Sequence, residues 1–97
     1  MSKIAVVARI KAKREFADYV QEQFVSLVEP TLSNDEGCIN YELYRDNDDP
    51  TLLYFLEEWE SRQLLDRHSD SVHVQACLKN TEGKIEELQV NVLTKIS

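Results

Sequence analysis

The segment from Thr51 to Trp59, TLLYFLEEW, has the two-residue period of a β-strand, yet both of its faces are largely apolar. A strand of this kind has to be covered on both sides, because a broad exposed apolar patch is costly in water. One cover can come from helices of the same chain, and the other needs a further partner. The two faces carry Leu53, Phe55, Glu57 and Trp59 on one side and Leu52, Tyr54, Leu56 and Glu58 on the other.

The first half of the chain predicts a strand, a long helix and a second strand. Residues 3–12, KIAVVARIKA, are apolar and rich in β-branched side chains, which favours a strand. Residues 14–32 place apolar side chains at helical spacing, and Pro30 predicts a stop or a kink near the end of that helix. Residues 38–44, CINYELY, alternate again and predict the second strand.

The second half predicts a hairpin, two short helices and a last strand. The polar run RDNDDP separates residues 38–44 from the strand that ends at Trp59. Ser61 and Ser71 are good N-caps for the helical segments RQLLDRH and VHVQACLKN, and Gly83 suits the turn after a helix. The remainder, KIEELQVNVLTKI, predicts a final strand with a less regular start.

The resulting order, β-α-β-β-α-β, is the ferredoxin-like arrangement of the α+β class, an antiparallel sheet with helices on one face. A chain of 97 residues with 42% hydrophobic content fits one domain over residues 1–97. The sheet face away from the helices would expose Leu52, Tyr54 and Leu56. We therefore expect a homodimer in which two such sheet faces pack together.

Charge and composition exclude several partners. Eighteen acidic against eleven basic residues give a net charge of −7, and the basic residues are scattered, so nucleic acid is not an expected partner. No apolar stretch has the length of a membrane span, and the first residues lack a signal-peptide pattern, which predicts a cytoplasmic protein without a membrane partner. Cys38 and Cys77 are expected to be reduced thiols.

Common cofactor and metal motifs do not fit the sequence. Two glycines cannot form a phosphate-binding glycine loop, and DNDDP lacks the glycine of a calcium loop. His68 and His73 would stand about 140° apart on one continuous helix, and only a helix break at residues 69–71 would change that angle. No third ligand has a recognisable spacing, so we expect no metal site. Cys38 has no neighbouring histidine in the sequence, which leaves a thiol nucleophile as a weak alternative.

One group of polar and aromatic residues remains as a candidate site after these motifs are excluded. Glu57 and Trp59 share a strand face, and His68 lies four residues after Leu64 on the inward side of the helix that follows. A carboxylate, an indole and an imidazole would then line a space between sheet and helix. The alternative is an ordinary packed core, in which Glu57 pairs with an arginine of that helix and His68 is merely hydrogen-bonded.

The central segment GCINYELYRDNDDPTLLYFLEEWESRQLLDRHSDSVHV resembles the antibiotic biosynthesis monooxygenase family, the small dimeric αβ barrels that include quinol monooxygenases. The resemblance covers about forty residues closely and the rest of the chain more weakly. The features that carry it are Gly37 with Cys38, Tyr41, Leu43, Pro50, Glu57-x-Trp59, Ser61, His68, Ser71 and His73.

The resemblance implies a monooxygenase that oxidises a small aromatic phenol or quinol with dioxygen and uses no cofactor and no metal. In that reading His68 is the catalytic base, Glu57 orients or polarises it, and Trp59, Tyr41, Leu43 and Phe55 form the substrate walls, with His73 as a further polar contact. Relatives that degrade haem have an asparagine and a histidine where this chain has Ala8 and about Leu78, so haem cleavage is not expected. A non-catalytic binder of a hydrophobic metabolite and the processing of a quorum-sensing signal stay open.

Overall fold

The computed structural model describes residues 3–97, and the first two residues of the predicted domain lie outside this range. Its four strands are β1 (Ile4–Ala12), β2 (Cys38–Arg45), β3 (Leu52–Trp59) and β4 (Ile85–Leu93). They form a four-stranded sheet in the order β2-β3-β1-β4, and every neighbouring pair is antiparallel. The four predicted strands and the hairpin between β2 and β3 are thus confirmed.

The helical segments differ from the prediction in one place. The first helix was expected to run from Arg14 to Leu32 with a stop or kink near Pro30. Instead a 3-10 turn at Arg14–Phe16 leads into α1 (Ala17–Val25), and α2 (Val28–Asn34) follows after a break at Ser26 and Leu27. The break precedes Pro30 because proline has no N–H to donate to the carbonyl of Ser26, four residues earlier.

The two short helices of the second half begin as predicted. They are α3 (Arg62–Ser69) and α4 (Val72–Asn80). The Ser61 hydroxyl accepts from the Leu64 N–H at 3.2 Å, and the Ser71 hydroxyl accepts from the Val74 N–H at 3.3 Å. These bonds satisfy free donors at the start of each helix. Two residues separate the end of α3 from the start of α4. Gly83 lies in the turn after α4 with a φ of 78°.

The core lies between the helices and one face of the sheet. Register pairs Val6 of β1 with Glu57, and Ala8 with Phe55, so alternate residues of both strands face the helices. Those residues are buried together with helix side chains such as Val20, Phe24 and Leu65. The architecture is the predicted ferredoxin-like α+β fold with helices on one face.

The opposite sheet face is open and partly apolar. Leu52 and Tyr54 are half-buried there, and Leu56 retains 42% of its exposure. The alternation predicted for β3 is therefore correct on both faces. At the β4 edge Leu88 and Val90 lie on the helix side of the sheet, yet both are exposed because no helix covers that edge.

Candidate functional site

A cavity of about 170 Å³ lies between the helices and the sheet. Its walls are mostly aliphatic and aromatic, and its polar groups include Glu57 and His68. An engineered cavity of about 150 Å³ in another protein accommodates benzene, so this volume suits a small aromatic molecule. The lining residues are Val6, Ala8, Ile10, Phe24, Leu27, Tyr41, Phe55, Glu57, Leu65, His68, Ser69, Val74, Leu78, Leu88 and Val90.

His68 is held at one ring nitrogen by a carboxylate from a distant turn. Its Nδ1 lies 2.6 Å from Oδ2 of Asp35, in the turn between α2 and β2. Both side chains are almost fully buried, with 7% and 10% of their surface exposed. A short bond between an imidazole and a carboxylate in a dry setting fixes the ring firmly.

Two aromatic rings complete the surroundings of His68. The Trp59 ring lies 4.7 Å from it, centroid to centroid, and the Tyr41 ring lies 5.2 Å away. Burial lowers the pKa of His68 below the ordinary imidazole value, although Asp35 opposes this shift. The neutral ring, which can accept a proton, is thus favoured down to lower pH.

Glu57 has a different partner from the one we expected. Its Oε1 accepts a hydrogen bond from the Trp59 indole at 2.8 Å, and no bond joins it to His68 among the described residues. The predicted orienting contact from Glu57 to His68 is therefore wrong, and Asp35 occupies that place. The arginine pairing of the packed-core alternative is also absent from the described ion pairs, since Arg62 bonds Asp66 and Arg67 bonds Glu36.

Burial also decides the protonation of the other groups near the cavity. It raises the pKa of Glu57 to about 7, with the Trp59 hydrogen bond acting against the shift. It raises the pKa of Tyr41 as well. Burial raises the pKa of Cys38, which is free, to about 11, so its thiol is protonated at neutral pH and the nucleophile alternative loses support.

Three of the five residues predicted to contact the substrate do not line the cavity. Tyr41 and Phe55 do, as expected, but Trp59 is fully buried behind Glu57 and His68. Leu43 faces a separate shallow surface depression beside Tyr44 and Arg45. His73 lies next to Asp35 and not on the cavity wall, so its predicted contact with a substrate is not supported.

The two histidines meet at one carboxylate, contrary to our argument from helical spacing. His73 Nε2 lies 2.9 Å from the same Oδ2 of Asp35 and 3.3 Å from the Ser71 hydroxyl. The break between α3 and α4 removes the 140° separation that a continuous helix would impose. The third group, Asp35, lies 33 residues before His68 in the chain.

This cluster contains the donor types of a metal site. Asp35, His68 and His73 each offer one ligand atom, and these atoms lie within 4.8 Å of one another. Two imidazoles and a carboxylate are ligands that iron and zinc accept. The bonds at 2.6 and 2.9 Å also satisfy the three atoms that meet there, one from each side chain, without an ion. The predicted absence of a metal therefore remains a prediction, although the spacing argument behind it is wrong.

Asp35 is the residue that the sequence did not reveal. It lies in the polar turn SNDEG, where an aspartate is expected for turn formation alone. The one available signal is Gly37, two residues later, which takes a φ of 85° and lets the turn approach α3. A glycine required for close approach indicates contact between this turn and the helix that carries His68.

Comparison with known proteins agrees with this architecture. The profile of the family described as "Antibiotic biosynthesis monooxygenase" matches residues 3–80. The Escherichia coli protein "Probable quinol monooxygenase YgiN" is 26% identical over 100 residues, which cover 93% of this chain and 95% of the relative. "Putative monooxygenase Rv0793" from Mycobacterium tuberculosis is 33% identical over 72 residues, covering 74% of this chain and 69% of the relative.

A solved structure extends the likeness to the whole fold. PA3566 from Pseudomonas aeruginosa superposes with a TM-score of 0.92 at 24% identity, covering all of this chain and 97% of that one. The fold and the apolar cavity between the helices and the sheet define a small ferredoxin-like α+β protein. The family match covers most of the chain, and the chain belongs to the antibiotic biosynthesis monooxygenase family. Within residues 3–97 no helix is long and apolar enough to cross a membrane.

Proposed function

We propose that this protein is a monooxygenase that oxidises a small aromatic phenol or quinol with dioxygen and needs no cofactor. The observation that carries the proposal is the buried His68 on the wall of a mostly apolar cavity of about 170 Å³. Membership of the family and the names of the two curated relatives support the reaction class. The volume and the apolar, partly aromatic walls of the cavity support a small aromatic substrate.

The chemistry needs a base and a dry site. His68 takes the proton of a ring hydroxyl, and the resulting phenolate gives one electron to dioxygen. The two radicals combine to form a carbon–oxygen bond, and His68 returns its proton to the peroxide. Loss of the ring hydrogen then breaks the oxygen–oxygen bond, so one oxygen stays on the product as a carbonyl and the other leaves as water. The substrate supplies all four electrons, and the apolar walls keep water from the radical pair.

The cavity walls favour an uncharged aromatic compound over a phosphorylated signal molecule. No lysine or arginine is among the residues that line the cavity. A phosphate would find no charged partner there, and burying it unpaired would be costly. Glu57, whose pKa lies at about 7, adds a group that can donate to a ring oxygen when protonated.

We infer in addition that the protein is a homodimer joined through the open sheet face, and that it acts in the cytoplasm. The partly exposed Leu56 on that face supports the dimer, as do the half-buried Leu52 and Tyr54 beside it. The two unpaired cysteines agree with a reducing compartment.

Oxygen consumption tests the proposed reaction. The purified chain is screened against quinols, naphthols and anthrones with isotopically labelled dioxygen. We expect one labelled oxygen in the organic product and one in water, and a loss of about 10²-fold or more in kcat/KM for His68→Ala. Gln75→Ala, on the exposed surface of α4, is the matched control. Ligands that raise the melting temperature without oxygen uptake would show that the protein is a binder and not an enzyme.

A further inference from the structure

The His68 ring can accept a proton from a molecule in the cavity through one nitrogen only. Its Nδ1 is engaged by Asp35, whereas Nε2 has no hydrogen-bond partner among the described residues. An ionised carboxylate only accepts hydrogen bonds, so the Asp35 contact requires a proton on Nδ1 of His68. In the neutral ring the other nitrogen, Nε2, then carries the free lone pair.

We infer that Asp35 is the positioning residue of this site: it holds neutral His68 as the Nδ1–H tautomer and so leaves Nε2 as the base for the cavity. The inference deepens the proposed function, and the effect of Asp35 on the reaction rate rests on that function. The tautomer of His68 does not depend on the proposed function. When Nε2 accepts a proton, the resulting imidazolium lies 2.6 Å from the Asp35 carboxylate, which stabilises the charge.

A second ring holds Asp35 in place from the other side. His73 Nε2 lies 2.9 Å from the same oxygen, so the neutral His73 ring must carry its proton on Nε2. Ser71 is 3.3 Å from this nitrogen and also caps α4, which ties the position of His73 to the start of that helix. His73 therefore supports Asp35, and the substrate contact that the sequence predicted for His73 is not part of this inference.

The backbone of the turn is fixed independently of these side chains. The Glu60 N–H, just after β3, donates to the Gly37 carbonyl at 2.9 Å. A Cβ atom on Gly37 would lie only 2.4 Å from Cδ1 of Leu64 in α3. The turn that carries Asp35 is thus packed against both β3 and α3, which keeps the carboxylate at the His68 ring and leaves it almost fully buried.

Nuclear magnetic resonance of the labelled full chain tests the tautomer directly. The chain has two histidines, so His73→Gln leaves one ring and assigns the signals. At pH 8, well above the ordinary imidazole pKa of about 6.5, we expect the His68 proton on Nδ1. In Asp35→Asn the amide can donate to Nδ1, so we expect the population to move to the Nε2–H tautomer. Asp66→Asn, at an exposed site of α3, is the matched control and should change neither ring.

Kinetics supply the second readout. Asp35→Asn is expected to lower kcat/KM by about 10²-fold, and His73→Gln by less, because it leaves the Asp35 contact with His68 intact. An Nε2–H tautomer of His68 in the wild-type chain, or a tautomer that is unchanged in Asp35→Asn, would overturn the inference. Wild-type His68 with the expected tautomer and no turnover of any aromatic substrate would refute the proposed function and leave the role of Asp35 in the ring's orientation standing.

Discussion

The Trp59 indole donates a hydrogen bond to the Glu57 carboxylate, two residues earlier on the same buried strand face, at 2.8 Å. This bond does not offset the burial of the carboxylate, since the pKa of Glu57 rises from 4.5 to about 7. Between these two values the folded chain holds a proton that the unfolded chain has released. The free energy of unfolding from this group therefore falls as the pH rises from about 4.5 to about 7 and stays lower above that range.

Removal of this charge should stabilise the protein at alkaline pH. We expect Glu57→Gln to raise the free energy of unfolding at pH 8 by about 2–3 kcal/mol and to have little effect at pH 4.5. The glutamine oxygen can still accept from Trp59. Urea unfolding at the two pH values measures the difference, with Glu58→Gln on the opposite sheet face as control. An equal effect of Glu57→Gln at both pH values would mean that the carboxylate is ionised throughout.

Gly37 and Gly83 form a natural pair for testing the turn that carries Asp35. Both have positive φ, but a Cβ on Gly37 would meet Leu64 at 2.4 Å, whereas one on Gly83 would meet nothing within 4 Å. We expect Gly83→Ala to cost about 1 kcal/mol from its conformation alone. Gly37→Ala should cost about 2–4 kcal/mol, because steric overlap with α3 is added. Urea midpoints report the difference, and equal losses would show that the close approach is unimportant.

The strands and faces were predictable because their signals are local. Period-two alternation placed Phe55 and Glu57 on the helix side and Leu56 on the other, and serine N-caps located the starts of α3 and α4. The stop or kink of the first helix was predicted near Pro30 itself. The break lies at Ser26 instead, because a proline removes the hydrogen bond to the carbonyl four residues before it.

The site was only half predictable, for a related reason. Residues that share a strand or a helix, such as Glu57, Trp59 and His68, could be brought together by period and capping alone. Asp35 joins them through a turn whose path depends on packing against α3. The 140° separation of the two histidines holds only on one continuous helix, and the two-residue gap between α3 and α4 is the break that changes it. Contacts of this kind are set by tertiary packing and leave no periodic trace.

The open sheet face makes a prediction about assembly. Leu56 keeps 42% of its exposure at the centre of that face, and Val72 on α4 keeps 85%. In a symmetric dimer a substitution at Leu56 enters the interface twice. We therefore expect Leu56→Glu to weaken the dimer by about 10²-fold or more in dissociation constant, while Val72→Glu leaves it unchanged. Light scattering over a concentration series measures both, and a wild-type chain that is monomeric at every concentration would contradict the dimer.

The cluster of Asp35, His68 and His73 leads to the last prediction, on metals. Its hydrogen bonds at 2.6 and 2.9 Å already give each of the three contacting atoms a partner, so none of them needs an ion. We expect dialysis against a strong chelator to change neither the melting temperature nor the rate of oxygen uptake, and added iron, manganese or zinc to increase neither. Zinc that binds the cluster should instead inhibit, because His68 and Asp35 would be drawn to the ion. Activity that vanishes on chelation and returns with one particular metal would contradict this prediction and show that the cluster is a metal centre. A matching fall in melting temperature would show that the metal is bound by the folded chain.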